Sequence, residues 1–203
     1  MSVAEYIAAF VSIMIGLALA DLAASLQRLL RAGRRVKWDL LTPLSALLVT
    51  AFVINVWWSM FASIVRMESL TVGAFIPDLI ALLLLFSLAS SSLPDEVPAE
   101  GIDLDAYYRD NSRWFWSLFA LYTGWVTFVI AARGISAGAS FGAVAGAIAP
   151  NALLTILMLV LAATKRRWVH LLLVALLLAV ALLAWLPQKL AQPGQPQAVA
   201  APR

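Results

Sequence analysis

The sequence predicts an all-α fold, a polytopic membrane bundle of six transmembrane helices, on three observations. Of 203 residues, 63% are hydrophobic and 12% charged, with a mean hydropathy of +0.92; soluble domains average about 25% charged. The apolar residues fall into runs near the ~20 residues that cross hydrocarbon as helix. One polar stretch, LPDEVPAEGIDLDAYYRDNSR at 93–113, separates two apolar halves and holds six of the eleven acids: Asp95, Glu96, Glu100, Asp103, Asp105 and Asp110. The chain thus divides into three helices (1–92), an acidic joint (93–113), three further helices (114–187) and a tail (188–203).

The first helix is expected to begin at Ser2, which has capping-box spacing to Glu5. It stays apolar to Ala20, then gathers Arg28, Arg31, Arg34 and Arg35 at its C-terminal end, where Gly33 is expected to form a left-handed cap. This helix should project a turn or two past the lipid. Ala18, Leu19 and Ala20 resemble a signal-peptidase site, but no positive n-region precedes the apolar run, so the helix is expected to be retained. A second span runs from Thr42 and Pro43 to about Val65, with Trp57 and Trp58 at an expected interface belt. After a link at 66–70, a third span ends near Ser92, with Pro77 and Asp78 in its first third. Asp103 suits an N-cap for a helix over 104–113 that runs into the fourth span, 114–132. A fifth span covers 139–164, Lys165, Arg166 and Arg167 turn the chain, and a sixth covers 168–186. The Pro/Gln-rich tail is expected to be disordered.

Counting bases orients the bundle. With the N-terminus outside, ten of the fourteen Lys and Arg fall on the cytoplasmic side. Both termini are then expected outside and residues 93–113 in the cytoplasm, between two basic turns.

Composition also excludes functions. Cysteine is absent and His170 is the single histidine, which removes disulfides, thiol chemistry and Cys/His metal sites. Lys37, Lys165 and Lys189 sit at span edges, away from any Schiff-base position. A Walker-type loop, a G-x-S-x-G elbow, an HExxH pair and a voltage-sensing Arg ladder are missing. Neither an enzyme nor a cofactor is expected. The net charge of +3 is explained by topology, and no nucleic-acid partner is expected.

Three patterns remain. Gly138, Gly142 and Gly146 recur at four-residue spacing, as a stripe along which another helix can approach closely; Ser12, Gly16 and Ala20 form a weaker stripe on the first helix and its natural partner, in the same subunit or another. Gly73-Ala74-x-x-Pro77-Asp78 repeats as Gly146-Ala147-x-x-Pro150-Asn151, suggesting a parallel hairpin repeat of helices two/three and four/five whose prolines free backbone groups for Asp78 or Asn151 to use. Ionisable and amide groups at membrane depth form the third set. Asp21 shares a face with Ser25 and Arg28 and is expected to pair with Arg28 or handle a proton or cation. Asp78 has no base nearby in sequence. Asn55 and Asn151 suit hydrogen bonds between helices, and His170 suits a packing or headgroup contact.

Exposed ion pairs contribute only about 0 to 1 kcal/mol each, so docking of the joint needs apolar anchors besides Asp103 and Asp105. Val97, Ile102, Leu104, Tyr107, Tyr108 and Trp114 are the candidates.

EYIAAFVSIMIGLALADL, LQRLLRAGRRVKWDLL, NVWWSMF, LPDE with DLDAYYRDNSRWFWSLFALY, and TKRRWVHLLL together resemble an uncharacterised group of small bacterial multi-pass inner-membrane proteins. The resemblance spans the chain to about Leu186. It implies a bacterial inner-membrane location, with both termini periplasmic and residues 93–113 cytoplasmic on the base count, and carries no activity and no functional residue. The function expected is that of an oligomeric or accessory subunit, with the lipid bilayer and a second copy or other membrane subunit as partners. The alternative is a small ion or proton channel or carrier using Asp78, Asn151 or Asp21.

Overall fold

The computed structural model describes residues 3–64 and 71–185. Among them six helices follow in order: α1 (Val3–Ala32), α2 (Leu41–Ile64), α3 (Val72–Ser90), α4 (Leu104–Ser136), α5 (Phe141–Ala163) and α6 (Arg167–Trp185). A single 3-10 turn at Gly33–Arg35 and two short strands, β1 (Val36–Lys37) and β2 (Ile102–Asp103), complete the described elements. The first five helices are long and apolar enough to cross a membrane, whereas the described apolar part of α6, Arg167–Leu183, is shorter. Ser2, the 66–70 link and the tail lie outside the described residues, as do the readings made of them.

Local chemistry sets the helix ends. Gly33, at φ 54°, follows the last residue of α1, as its position suggests. Thr71 caps α3 by accepting from the Ala74 N–H. Asp103 caps α4, its Oδ1 accepting from the amides of Asp105 and Ala106 at 2.9 and 3.3 Å. Four orphan N–H groups open every helix, and these side chains satisfy some of them. The fourth helix is longer than expected, running past Ala132 to Ser136, and ends where Gly138, at φ 72°, turns the chain.

α2 is central: it packs against α1, α3, α4 and α6, while α1 also packs on α3, α3 on α4, and α5 most extensively on α4. The buried stripe of α1, Val11, Ile15, Ala18, Leu22 and Leu29, follows the helical repeat. Phe52 meets Phe119 and Tyr122 edge-on, at centroid distances of 4.9 and 5.4 Å. On α6 the inward positions His170, Val174 and Leu178 are four residues apart.

The glycine stripe does not pack as expected. Gly138 belongs to the α4–α5 turn rather than to a helix. A Cβ at Gly142, Gly146 or Gly16 would meet no atom within 4 Å, so these stripes do not join α5 to α1. The close approach is instead between α4 and α5, at Gly124 and Gly134, where a Cβ would lie 3.6 Å from Thr155 and 3.1 Å from Val144. Trp57 is likewise half-buried, donating to Ser12 Oγ at 3.1 Å rather than sitting wholly in an interface belt.

Candidate functional site at the joint end

One end of the bundle gathers three connections. β1 and β2 pair in parallel, Val36 opposite Ile102 and Lys37 opposite Asp103, so the α1–α2 link lies beside the joint. Arg167 at the start of α6 pairs with Asp39 and with Asp105, bringing the α5–α6 turn to the same end. Gly101 allows the ladder to form: its φ is 97°, and a Cβ there would overlap the Arg35 carbonyl oxygen.

The charged groups of the joint find partners across the chain. Lys37 Nζ donates to Asp103 Oδ2 at 2.7 Å, while Asp103 Oδ1 caps α4. The hydrogen bond and charge of Asp103 hold the Lys37 ammonium above its ordinary 10.5. The same hydrogen bond and the two helix amides hold the Asp103 carboxyl below its ordinary 3.8, against a smaller opposing effect of desolvation. Asp105 bridges Arg109, at 2.9 Å, and Arg167. Asp39, whose side chain is only 7% exposed, accepts from the Leu41 amide at 2.9 Å as well as from Arg167. Arg28 donates to Ser25 and stands 4.0 Å from Asp95.

Beneath the charges lies a buried polar chain. Trp116 Nε1 donates to Tyr108 Oη at 3.0 Å, and Tyr108 Oη lies 2.8 Å from His170 Nδ1. His170 Nε2 lies 3.0 Å from the Thr164 carbonyl, which only accepts, so Nε2 donates there. His170 is 3% exposed, a buried joint between α4 and α6 rather than a headgroup contact. Thr42 Oγ1 donates to the Leu104 carbonyl at 3.0 Å, and Asn111 Nδ2 to the Ser91 carbonyl at 3.0 Å and to Tyr107 Oη at 3.2 Å. Leu104 and Tyr108 are buried and Val97 and Ile102 pack on the core, but Trp114 is 63% exposed. Trp116, not Trp114, is the buried anchor, because it lies on the face of α4 turned toward α6.

Next to this chain, α4 and the α5–α6 turn enclose a cavity of about 580 Å³, with Asp105, Arg109, Arg113, Lys165 and Arg167 among its lining residues.

The other candidates lie apart from this end or from one another. Asp21 accepts from Ser90 Oγ at 2.5 Å, tying α1 to α3; it does not pair with Arg28. Asp78 accepts from Arg133 at 2.7 Å, and the same guanidinium donates to the Ala74 carbonyl at 3.0 Å. Near Pro77 the helpers are therefore Arg133 and Trp125, whose Nε1 donates to the Pro77 carbonyl at 2.9 Å. The side chains of Asn55 and Asn151 make no hydrogen bond among the described residues, contrary to the interhelical role expected of them; Asn151 contributes only its carbonyl, to Thr155 Oγ1 at 2.8 Å. Neither Asp21, Asp78 nor Asn151 lines the 580 Å³ cavity.

Asp39, Gly101, Trp116 and Arg133 are the residues that sequence reasoning missed. Asp39, two residues before the start of α2, carried the one readable signal, as an acid placed to accept from a first-turn amide. Comparisons with protein-family models, curated proteins and solved structures find no match.

Proposed function

We propose that the protein is a membrane interaction subunit that assembles with a second copy of itself through the small-residue face of α5. The setting of Gly142 and Gly146 carries this reading. Glycine inside a helix costs about 1 kcal/mol relative to alanine, and Gly124 and Gly134 at the α4–α5 seam have neighbours that explain them. Gly142 and Gly146 have no such neighbour in the subunit: both are exposed, and α5 buries only Met158 and Leu161. In lipid, a stripe without side chains serves helix association by letting backbones approach. A second copy is the simplest occupant, since a stripe can meet its own image across a two-fold axis.

In this reading α6 is the sixth span, its 19 residues reaching about 28 Å at ~1.5 Å per residue. The base count supports a joint end facing the cytoplasm and both termini outside, and the resemblance of the sequence to small bacterial multi-pass proteins supports an inner-membrane location. Transport draws less support, because the charge of Asp78 is taken up by Arg133 and that of Asp21 is bonded to Ser90. The hairpin repeat draws little either, since α4 and α5 pack far more closely than α2 and α3. Native mass measurement of protein released from nanodiscs tests the proposal. A dimer or larger species is expected; a monomer at every protein concentration contradicts it.

A further inference from the structure

We propose that the 580 Å³ cavity at the joint end binds an anionic phospholipid headgroup through its phosphate. The inference is independent of the assembly reading. Four cations, Arg109, Arg113, Lys165 and Arg167, line the cavity against one carboxylate, Asp105. Arg167 is held by Asp39 and Asp105, and Arg109 by Asp105. Arg113 and Lys165 have no ion-pair partner among the described residues, although both line the cavity and both are exposed. An anion in the cavity is attracted by both charges. A guanidinium matches two phosphate oxygens at once, and an ammonium adds a point charge. Arg167 and His170 of the first turn of α6 also line the cavity, and the helix dipole there favours negative charge.

Depth identifies the anion as a lipid. α4 has 33 residues, about 50 Å at ~1.5 Å per residue, against a hydrocarbon core of ~30 Å. Its polar N-terminal turns therefore stand beyond the hydrocarbon, among headgroups. Trp38, Trp114 and Trp168 are 46%, 63% and 59% exposed, and each adjoins a base of this end: Lys37, Arg113 or Arg167. Exposed indoles beside bases mark the interfacial layer. Leu41, Ala162 and Ala163 supply an apolar wall for the glycerol end of a lipid. His170 does not compete for the phosphate, since both its nitrogens are bonded within the protein.

The test uses the full chain, delipidated in detergent and titrated with phosphatidylglycerol, phosphatidylcholine or inorganic phosphate, with bound species counted by native mass spectrometry. The wild type is expected to retain phosphatidylglycerol in preference to phosphatidylcholine. Arg113→Gln combined with Lys165→Gln should weaken that retention about tenfold or more. Arg31→Gln with Arg34→Gln removes as much charge from the same end outside the cavity and should change it less than about twofold. Arg113→Lys keeps the charge but not the two-oxygen match and should bind between the wild type and the double variant. Thermal unfolding midpoints near that of the wild type are expected of both double variants, which separates lost binding from lost folding. Equal losses in the two double variants, equal retention of both lipids, or saturable binding of inorganic phosphate without lipid retention would each overturn the proposal.

Discussion

At the residue scale, Gly101 is the most constrained position described. Gly101→Ala meets both an unfavourable φ and the Arg35 carbonyl, so it should destabilise the β1–β2 clamp by about 1–3 kcal/mol; thermal unfolding in detergent measures this, and a wild-type midpoint contradicts it. Tyr108→Phe leaves Trp116 Nε1 and His170 Nδ1 without their shared partner in a buried site. A loss of about 1–3 kcal/mol is expected, following the desolvation of each orphaned group. The Lys37–Asp103 pair sets a pH window. Because the Asp103 pKa is lowered, its contribution is complete above 3.8 and is lost as pH falls through the lower folded value. Because the Lys37 pKa is raised, its contribution is complete below 10.5 and is lost as pH rises through the higher folded value. Amide exchange at 36–37 and 102–103, corrected for the intrinsic rate, should quicken only outside that window; quickening within it contradicts the assignment. Asp103 and Gly33 were legible in the sequence because capping depends on a few adjacent residues. The partners of Asp78 and His170 were not, because 55 and 62 residues separate each pair and nothing local says which helices become neighbours.

At the element scale, the joint is a short ladder leading into a helix, fastened by apolar and hydrogen-bonded contacts more than by charge. Asp103→Asn with Asp105→Asn removes carboxylates that pair with Lys37, Arg109 and Arg167. The bundle should survive, since Leu104 and Trp116 stay buried and Thr42 still bonds the Leu104 carbonyl. Limited proteolysis of the joint in membranes should quicken while the spans stay intact; loss of the protein from the membrane contradicts this view. The continuity of α4 from Asp103 through the polar turns was legible as a capping signal followed by an apolar run. The glycine pattern misled because spacing reports that a stripe is small, not what it faces. Gly124 and Gly134, which lie against α5 without forming a stripe, are the glycines that the α4–α5 contact uses.

At the scale of the whole molecule, hydropathy disclosed a helical membrane bundle and its polar break, because the length of an apolar run alone decides whether a helix can span lipid. The order of packing, with α2 central and α5 outermost against α4, was not legible; it depends on side-chain fit between segments of similar composition. That peripheral place of α5 leaves Gly142 and Gly146 facing outward, and assembly through this face is the central claim. A cysteine-free chain allows a direct measurement: oxidative crosslinking of single-cysteine variants in native membranes. Gly146→Cys should yield a covalent dimer of the chain, while Leu183→Cys, on an exposed face of α6, should stay monomeric. Absence of a dimer from both Gly146→Cys and Gly142→Cys, with the proteins folded and the thiols reactive, contradicts assembly through α5.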